Sequence, residues 1–350
     1  MDDEAQGRPL RRRTRRRLLK AAAAAVAAAG AAAAYARWVE PKWIETLECD
    51  LPVPNLPAAW EGLGVGLVAD LHHGPQVPLD YLAQGMGRLR DLRPDLVAAV
   101  GDFVTTRQSG YAEAVSGLFD GLAPPLGTFA CLGNHDYGVV RPVRSAEAFA
   151  IADALPRHGV RLLRNESVRL ERGGQDLWIA GAEDLWSGRL SAARTMDGVP
   201  AGAASIVLCH NPDAADAFAD GPGGAGAGAI LAGHTHGGQV QVPLLGPPIL
   251  PVRNRDRYEG LHRVGGSWLY INRGLGWLLK VRFACRPEIT VLTLRRAAGP
   301  EVAPRRRLLK AAAAAVAAAG GRSGPADGPD STPIPPSCRG VRRRPVNYGT

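Results

Sequence analysis

Short apolar runs recur along this chain, and five of them end in side chains of one chemical kind. Gly64-Val-Gly-Leu-Val-Ala69 leads into Asp70-Leu-His72, and Leu96-Val-Ala-Ala-Val100 into Gly101-Asp102. Gly127-Thr-Phe-Ala-Cys-Leu132 leads into Gly133-Asn-His-Asp136, Ala204-Ser-Ile-Val-Leu-Cys209 into His210, and Gly228-Ala-Ile-Leu-Ala232 into Gly233-His-Thr-His236. Each run is too short and too uniformly apolar for an amphipathic helix and reads as a buried strand. Between them, Leu79 to Leu92, Tyr111 to Leu122 and Ser145 to His158 have helical spacing, the first ended by Arg93-Pro94. That βαβ rhythm predicts a layered α/β fold with its site at the carboxyl ends of the strands. Asp176 to Gly181, Ser267 to Ile271 and Ile289 to Leu294 read as further strands, the last two in a second sheet. Trp38 to Trp60 reads as a proline-punctuated lead-in.

The residues at the strand ends are metal ligands by type. Five of the eight histidines sit there, a distribution that scattered core histidines would not give. In the His234-Thr-His236 pair, alternation along an extended backbone would point both rings to one side, with Gly233, Gly237 and Gly238 allowing close approach. By the same alternation His73 points away from the ion that His72 would serve. Glu183 and Asp184, after the strand at 176–181, belong either to the rim of the site or to a solvated turn.

These five blocks, Asp-x-His, Gly-Asp, Gly-Asn-His-Asp, a lone His and Gly-His-x-His, resemble the calcineurin-like metallophosphoesterases in order, spacing and residue type, over about Trp43 to Leu294. Ala69 stands where relatives often carry Ser, which leaves the ligand set intact. The resemblance implies an α/β fold, a four-layer αββα sandwich of two mixed sheets flanked by helices. It implies two divalent cations, one held by Asp70, His72 and His236 and the other by Asn134, His210 and His234, with Asp102 bridging them. It also implies hydrolysis of phosphodiester or phosphomonoester bonds by a metal-bridging hydroxide. In that scheme His135 protonates the departing oxygen and Asp136 orients it. Mixed nitrogen and oxygen ligands suit Mn, Fe, Zn or Co better than Mg or Ca. Two alternatives remain open: a pyrophosphatase acting on a lipid-linked nucleotide of the UDP-diacylglucosamine type, and a catalytically silent metal-binding scaffold.

Net charge changes the picture only once it is divided along the chain. The total is +9, but residues 1–36 carry eight Lys/Arg against three acids and residues 305–350 nine against two, so residues 37–304 are net −3. A mildly acidic catalytic segment has no general attraction for a polyanion, which argues against nucleic acid as the substrate. Five cysteines without a Cys-x-x-Cys pair imply no disulfide framework, and Cys131 and Cys209, inside strand runs, read as buried thiols.

The ends of the chain are of another kind. Thr14-Arg-Arg-Arg-Leu-Leu-Lys20, followed by an alanine-rich stretch to Tyr35, resembles a twin-arginine export signal, with Ala34-Tyr-Ala36 as a candidate cleavage site. Uncleaved, it would be a marginal membrane anchor. Either way the enzyme would act in the periplasm or at the extracytoplasmic membrane face, having met the twin-arginine machinery. Residues 305–320 repeat residues 15–30 letter for letter, a spare copy that carries no motif. The sequence divides into a signal or anchor (1–36), a lead-in (37–62), a catalytic domain (63–296) and a disordered tail (297–350). Directly after the His-x-His pair, Val240 to Val252 is apolar but cut by four prolines, so it predicts a stiff lip that either packs on its own domain or stands exposed.

Overall fold

The apolar runs do form strands, and two sheets packed face to face bring their ends together. The computed structural model describes residues 7–105, 109–138, 149–219, 226–297 and 339–340. In chain order the strands are β1 (Glu45–Val53), β2 (Gly64–Ala69), β3 (Leu96–Val100), β4 (Thr128–Cys131), β5 (Val160–Leu162), β6 (Glu166–Arg172) and β7 (Gln175–Gly181). They continue with β8 (Ser205–Leu208), β9 (Ala229–Ala232), β10 (Gly260–Val264), β11 (Ser267–Ile271), β12 (Glu288–Arg296) and β13 (Arg339–Gly340). The helices are α1 (Gly7–Ala34), α2 (Leu79–Asp91), α3 (Ser109–Ser116), α4 (Phe149–Arg157), α5 (Ala192–Thr195) and α6 (Ala215–Ala219).

Among the described residues the first sheet has the order β13-β1-β12-β2-β3-β4-β5 and the second β10-β11-β9-β8-β7-β6. Both are mixed. β2 through β5 run parallel while β12 is antiparallel to β2, and β7, β8, β9 and β11 run parallel between antiparallel β6 and β10. Leu67, Ala98, Leu208, Leu231 and Leu292 fill the space between the sheets. Leu82 and Leu89 of α2, Val115 of α3 and Leu155 of α4 cover the outer face of the first sheet, and Phe218 of α6 packs on Val207 and Ile230 of the second. The result is the four-layer αββα sandwich. Both faces of each sheet are buried, which is why the parallel strands read as unbroken apolar runs.

Three expectations need correction. The lead-in is part of the domain, because β1 pairs in parallel with the whole of β12, Glu45 against Glu288 through Val53 against Arg296. The strand at 289–294 lies in the first sheet between β1 and β2, where its residues complete the inter-sheet core. Cys49 is disulfide-bonded, whereas Cys131, Cys209 and Cys285 are free and buried. The repeat at 305–320 and most of the tail lie outside the described residues.

Candidate metal centre

β2, β3, β4, β8 and β9 all end on one side of the sandwich, and each delivers its polar residues there. The strands stop because the backbone turns sharply. Asp70 (φ 52°), His72 (φ 50°), Asp102 (φ 54°), His234 (φ 71°) and His236 (φ 51°) all adopt left-handed conformations. Cross-strand hydrogen bonds hold these turns: Asp70 N–H to Gly101 O at 3.0 Å, His72 N–H to Asp102 O at 2.9 Å and Gly233 N–H to His210 O at 3.0 Å. The His234-Thr-His236 segment is therefore a turn, not an extended strand, and the two rings go to different places. A left-handed residue redirects the next side chain, so strand alternation does not apply.

His236 joins Asp70 and His72 in one group of potential ligand atoms, while His234 joins Asp102 and His210 in another, and a third set, His72, Asp102 and half-buried His135, overlaps both; in each these atoms lie within 4.8 Å of one another. His72 Nε2 and His236 Nε2 are 3.0 Å apart, and His234 Nδ1 and His210 Nε2 are 3.3 Å apart. Two nitrogens each about 2.0–2.1 Å from one ion would be separated by roughly 2.8–3.4 Å, for angles between octahedral and tetrahedral, so both pairs fit a shared cation. Asp102 lies between the groups: its Oδ2 is 3.4 Å from His72 Nε2 and 3.2 Å from His210 Nε2. Asn134 is buried at the end of β4.

The electrostatics agree with a cation site. Burial lowers His72 and His234 to about 3 and drives His236 well below its ordinary value, leaving neutral rings with free lone pairs. Burial pushes the Asp70 carboxyl up to about 7, and Asp184 up to about 6. His210 is the exception. Burial opposes its charge, yet Asp102, hydrogen-bonded to it, together with Asp70 and Asp184 raises it to about 10. A bound cation would take over that proton's role and hold the neighbouring carboxyls ionised, so the donor set fits transition-metal ions by geometry and by charge.

Neutral ligands need rigid support, and the backbone supplies it. Asp70 is pinned by His234 N–H, which lies 3.0 Å from each carboxylate oxygen, and from behind by Gly276 N–H on Asp70 O at 2.7 Å. The loop carrying Gly276 hangs on fully buried Arg282, whose Nη2 donates to the carbonyls of Arg273, Gly274 and Gly276. Gly133 permits the close approach of β4 to β3, since a Cβ there would fall 2.2 Å from Asp102 Oδ1.

The role expected for Asp136 is not the one its contacts describe. Its Oδ2 accepts from the N–H groups of Asp102 and Gly133, both at 2.9 Å, and its Oδ1 from Phe103 at 2.8 Å and Val104 at 3.2 Å. Four amides occupy the carboxylate, so it clasps the loop that carries Asp102 instead of orienting His135. His135 donates its backbone N–H to Asp102 Oδ1 at 2.8 Å and stands edge-on to His72, with ring centroids 4.8 Å apart. Its ring is half-buried, whereas His72, His210, His234 and His236 are fully buried. His73 stays out of both groups, bonded through Nδ1 to Val77 O at 3.0 Å and packed on Tyr111. Cys131 and Cys209 are buried with their thiols pushed up first by burial, which makes them inert.

Glu183 and Asp184 are buried, not a solvated turn. Glu183 accepts from Tyr137 Oη and from Arg164 Nε, while Asp184 Oδ2 caps Ser187 N–H. Beside them Trp186 sets its ring edge-to-face against His234, with centroids 4.6 Å apart. The sequence carried little signal for this wall of the site beyond Asp184-Leu-Trp186 following a strand.

Comparison with known proteins agrees with this geometry. Residues 63–238 match the calcineurin-like phosphoesterase family. The chain is 34% identical to phosphodiesterase YaeI of Escherichia coli over 260 residues, 74% of this chain and 92% of that protein. It is 32% identical to the uncharacterized metallophosphoesterase YkuE of Bacillus subtilis, with 75% and 89% covered, and 26% identical to the UDP-2,3-diacylglucosamine pyrophosphatase LpxG of Chlamydia muridarum, with 74% and 91% covered. With strand ends, ligand groups and relatives in agreement, this chain belongs to the calcineurin-like phosphoesterases, metal-dependent hydrolases of phosphoric ester bonds.

Proposed function

We propose that this protein is a binuclear phosphodiesterase, exported by the twin-arginine route and retained at the outer face of the cytoplasmic membrane. The observation that carries the binuclear reading is the position of Asp102, one carboxylate oxygen facing a histidine of each ligand group. Asp70, His72 and His236 would hold one ion, Asn134, His210 and His234 the other, and Asp102 both. Bound there, two cations would supply an activated water and neutralise charge on the phosphate oxygens. The chain's own contribution is positional and acidic. His135, the one site imidazole with solvent access, sits beside Asp102 where it can hand a proton to the departing oxygen. The buried ligands exclude bulk water behind the phosphate, and Trp186 fixes the His234 ring.

YaeI supports diester bonds as the substrate class. LpxG, together with the apolar lip described below, supports a pyrophosphate bond of a lipid-linked nucleotide as the second reading. Retention is supported by the junction after α1. Ala36 O accepts from Arg282 N–H at 2.9 Å, and Glu40 accepts from the backbone N–H groups of Ala284 and Cys285. Cleavage after Ala36 would remove the first of these ties.

The test is elemental analysis of the purified chain loaded with Mn or Zn, with activity assayed on a bis-aryl phosphodiester, an aryl phosphomonoester and a UDP-linked lipid. The proposal expects two ions per chain, hydrolysis abolished by chelation, and the diester or the lipid nucleotide preferred over the monoester. One ion at saturation, with full activity, overturns the binuclear reading.

A further inference from the structure

The lip after the ligand turn stands in solvent. Leu244 is fully exposed (106%), Leu245 is 84% exposed and Ile249 78% exposed, although each is a residue that normally seeks cover. Backbone strain adds to the oddity, since Leu244 has φ 70°. Leu279 is 70% exposed, and Leu278 is exposed beside it.

These two segments form one surface. Gln239 ties them together, donating through Nε2 to Leu279 O at 2.7 Å and Val281 O at 2.9 Å, while Gln241 N–H donates to Phe283 O. The same surface receives the end of the N-terminal helix. Arg282 N–H donates to Ala36 O, the Tyr35 ring packs edge-on to Phe283, and Glu40 binds the amides at 284 and 285. Residues 15–42, which include most of α1, form a helical stretch long and apolar enough to cross a membrane, with none of its most apolar window buried in the protein. Trp38 and Trp43 are exposed where that stretch meets the domain, the level at which indole rings favour a lipid–water boundary.

Charge completes the pattern. Arg37, Lys42, Arg253 and Arg255 are exposed around the apolar residues. Lys280 is close enough to this group that, after burial, Lys42 and Arg37 lower its pKa. The lip is also continuous with the metal centre: His234 Nε2 lies 3.1 Å from Pro251 O, and Gly238 lies against Pro247.

We infer that Leu244, Leu245, Ile249, Leu278 and Leu279 dock this protein on an anionic lipid bilayer, the same bilayer that α1 crosses. The mouth of the centre then opens at the headgroup layer, so its substrate carries the scissile phosphate at that depth. The docking surface stands on its own; the substrate class rests on the phosphodiesterase reading above. The ties from Ala36 and Glu40 hold the domain to the end of the helix at one point. The lip supplies a second contact and fixes which way the centre faces.

The experiment reconstitutes the full chain in vesicles of phosphatidylcholine and phosphatidylglycerol. An environment-sensitive fluorophore is attached at Leu245→Cys or, as the control, at Glu171→Cys in β6 near the opposite end of the sandwich; the unsubstituted chain reports background labelling. The 245 label should shift to the blue and be quenched by spin-labelled lipids, and the 171 label should do neither. In parallel, Leu244→Ser/Leu245→Ser/Ile249→Ser should lower turnover of a phosphatidyl nitrophenyl diester in those vesicles by roughly tenfold, as a loss of about 1.4 kcal/mol would. Turnover of soluble bis(nitrophenyl) phosphate should stay unchanged. A 245 label as accessible as the 171 label overturns the docking surface, and so does a label that shifts to the blue without being quenched by the spin-labelled lipids, which would indicate contact between copies. Both turnovers falling together with a lower melting temperature would show that the lip is structural. If the unsubstituted chain hydrolyses neither diester, the phosphodiesterase reading fails, while the label still reports on docking.

Discussion

Replacing Asp136 with Asn separates the two roles that its position allows. The carboxylate accepts from four backbone N–H groups, two on each oxygen. A carboxamide keeps one oxygen for two of them and, in either flip, turns an NH2 toward the other two, donor against donor. Two hydrogen bonds to a charged acceptor, each worth about 1.5–3 kcal/mol, are lost, so Asp136→Asn should cost about 3–6 kcal/mol. In a domain of this size each kcal/mol moves the melting temperature by about 2–4 °C, so the fall should be roughly 6–24 °C. The two orphaned donors belong either to Asp102 and Gly133 or to Phe103 and Val104, all on the loops around the shared ligand, so metal content should fall as well. The assay is thermal melting of the full chain followed by circular dichroism, with and without Mn, alongside elemental analysis. A variant that melts within a degree or two of the parent, keeps its metal and loses rate only on substrates with poor leaving groups would refute the clasp and restore Asp136 as the partner of His135.

Other consequences are quicker to check. His135→Ala should keep its metal but lose about 10²–10⁴-fold in rate, with a smaller loss when the leaving group is a nitrophenolate; equal losses for aryl and alkyl esters would remove His135 from the acid role. Gly133→Ala should displace the Asp102 carboxylate, because its Cβ would fall 2.2 Å from Oδ1, and should cost about 10²-fold in activity together with bound metal, read by elemental analysis. Arg15→Lys/Arg16→Lys should leave active enzyme in the cytoplasmic fraction, and unchanged localisation by fractionation would discard the twin-arginine reading.

The strands that carry ligands were legible because a parallel strand buried on both faces is apolar at every position, and because the polar residue ending it has no core role. β1 is masked by Pro41, Pro52, Pro54 and Pro57, which punctuate the stretch like a linker, although Leu47, Cys49, Leu51 and Val53 alternate as a strand should. β12 was placed in the wrong sheet because chain neighbours usually pair, and here the chain crosses from β11 in one sheet to β12 in the other. The contacts of Asp136 are invisible in the sequence for a different reason. Its partners are backbone amides, which every residue has and no sequence pattern marks. The lip could be identified but not placed, since prolines specify stiffness and say nothing about which side faces water.

The left-handed backbone of Asp70, His72, Asp102, His234 and His236 sets a limit on how robust this enzyme can become. An ordinary residue held in that region costs about 1–2 kcal/mol, so the five together oppose folding by roughly 5–10 kcal/mol, comparable to the whole stability of a typical domain. Glycine would relieve that cost at each position and abolish a ligand in the same step. Backbone strain at these five positions therefore cannot be removed without losing the centre, and any programme of stabilisation has to work elsewhere in the chain and score turnover in every round.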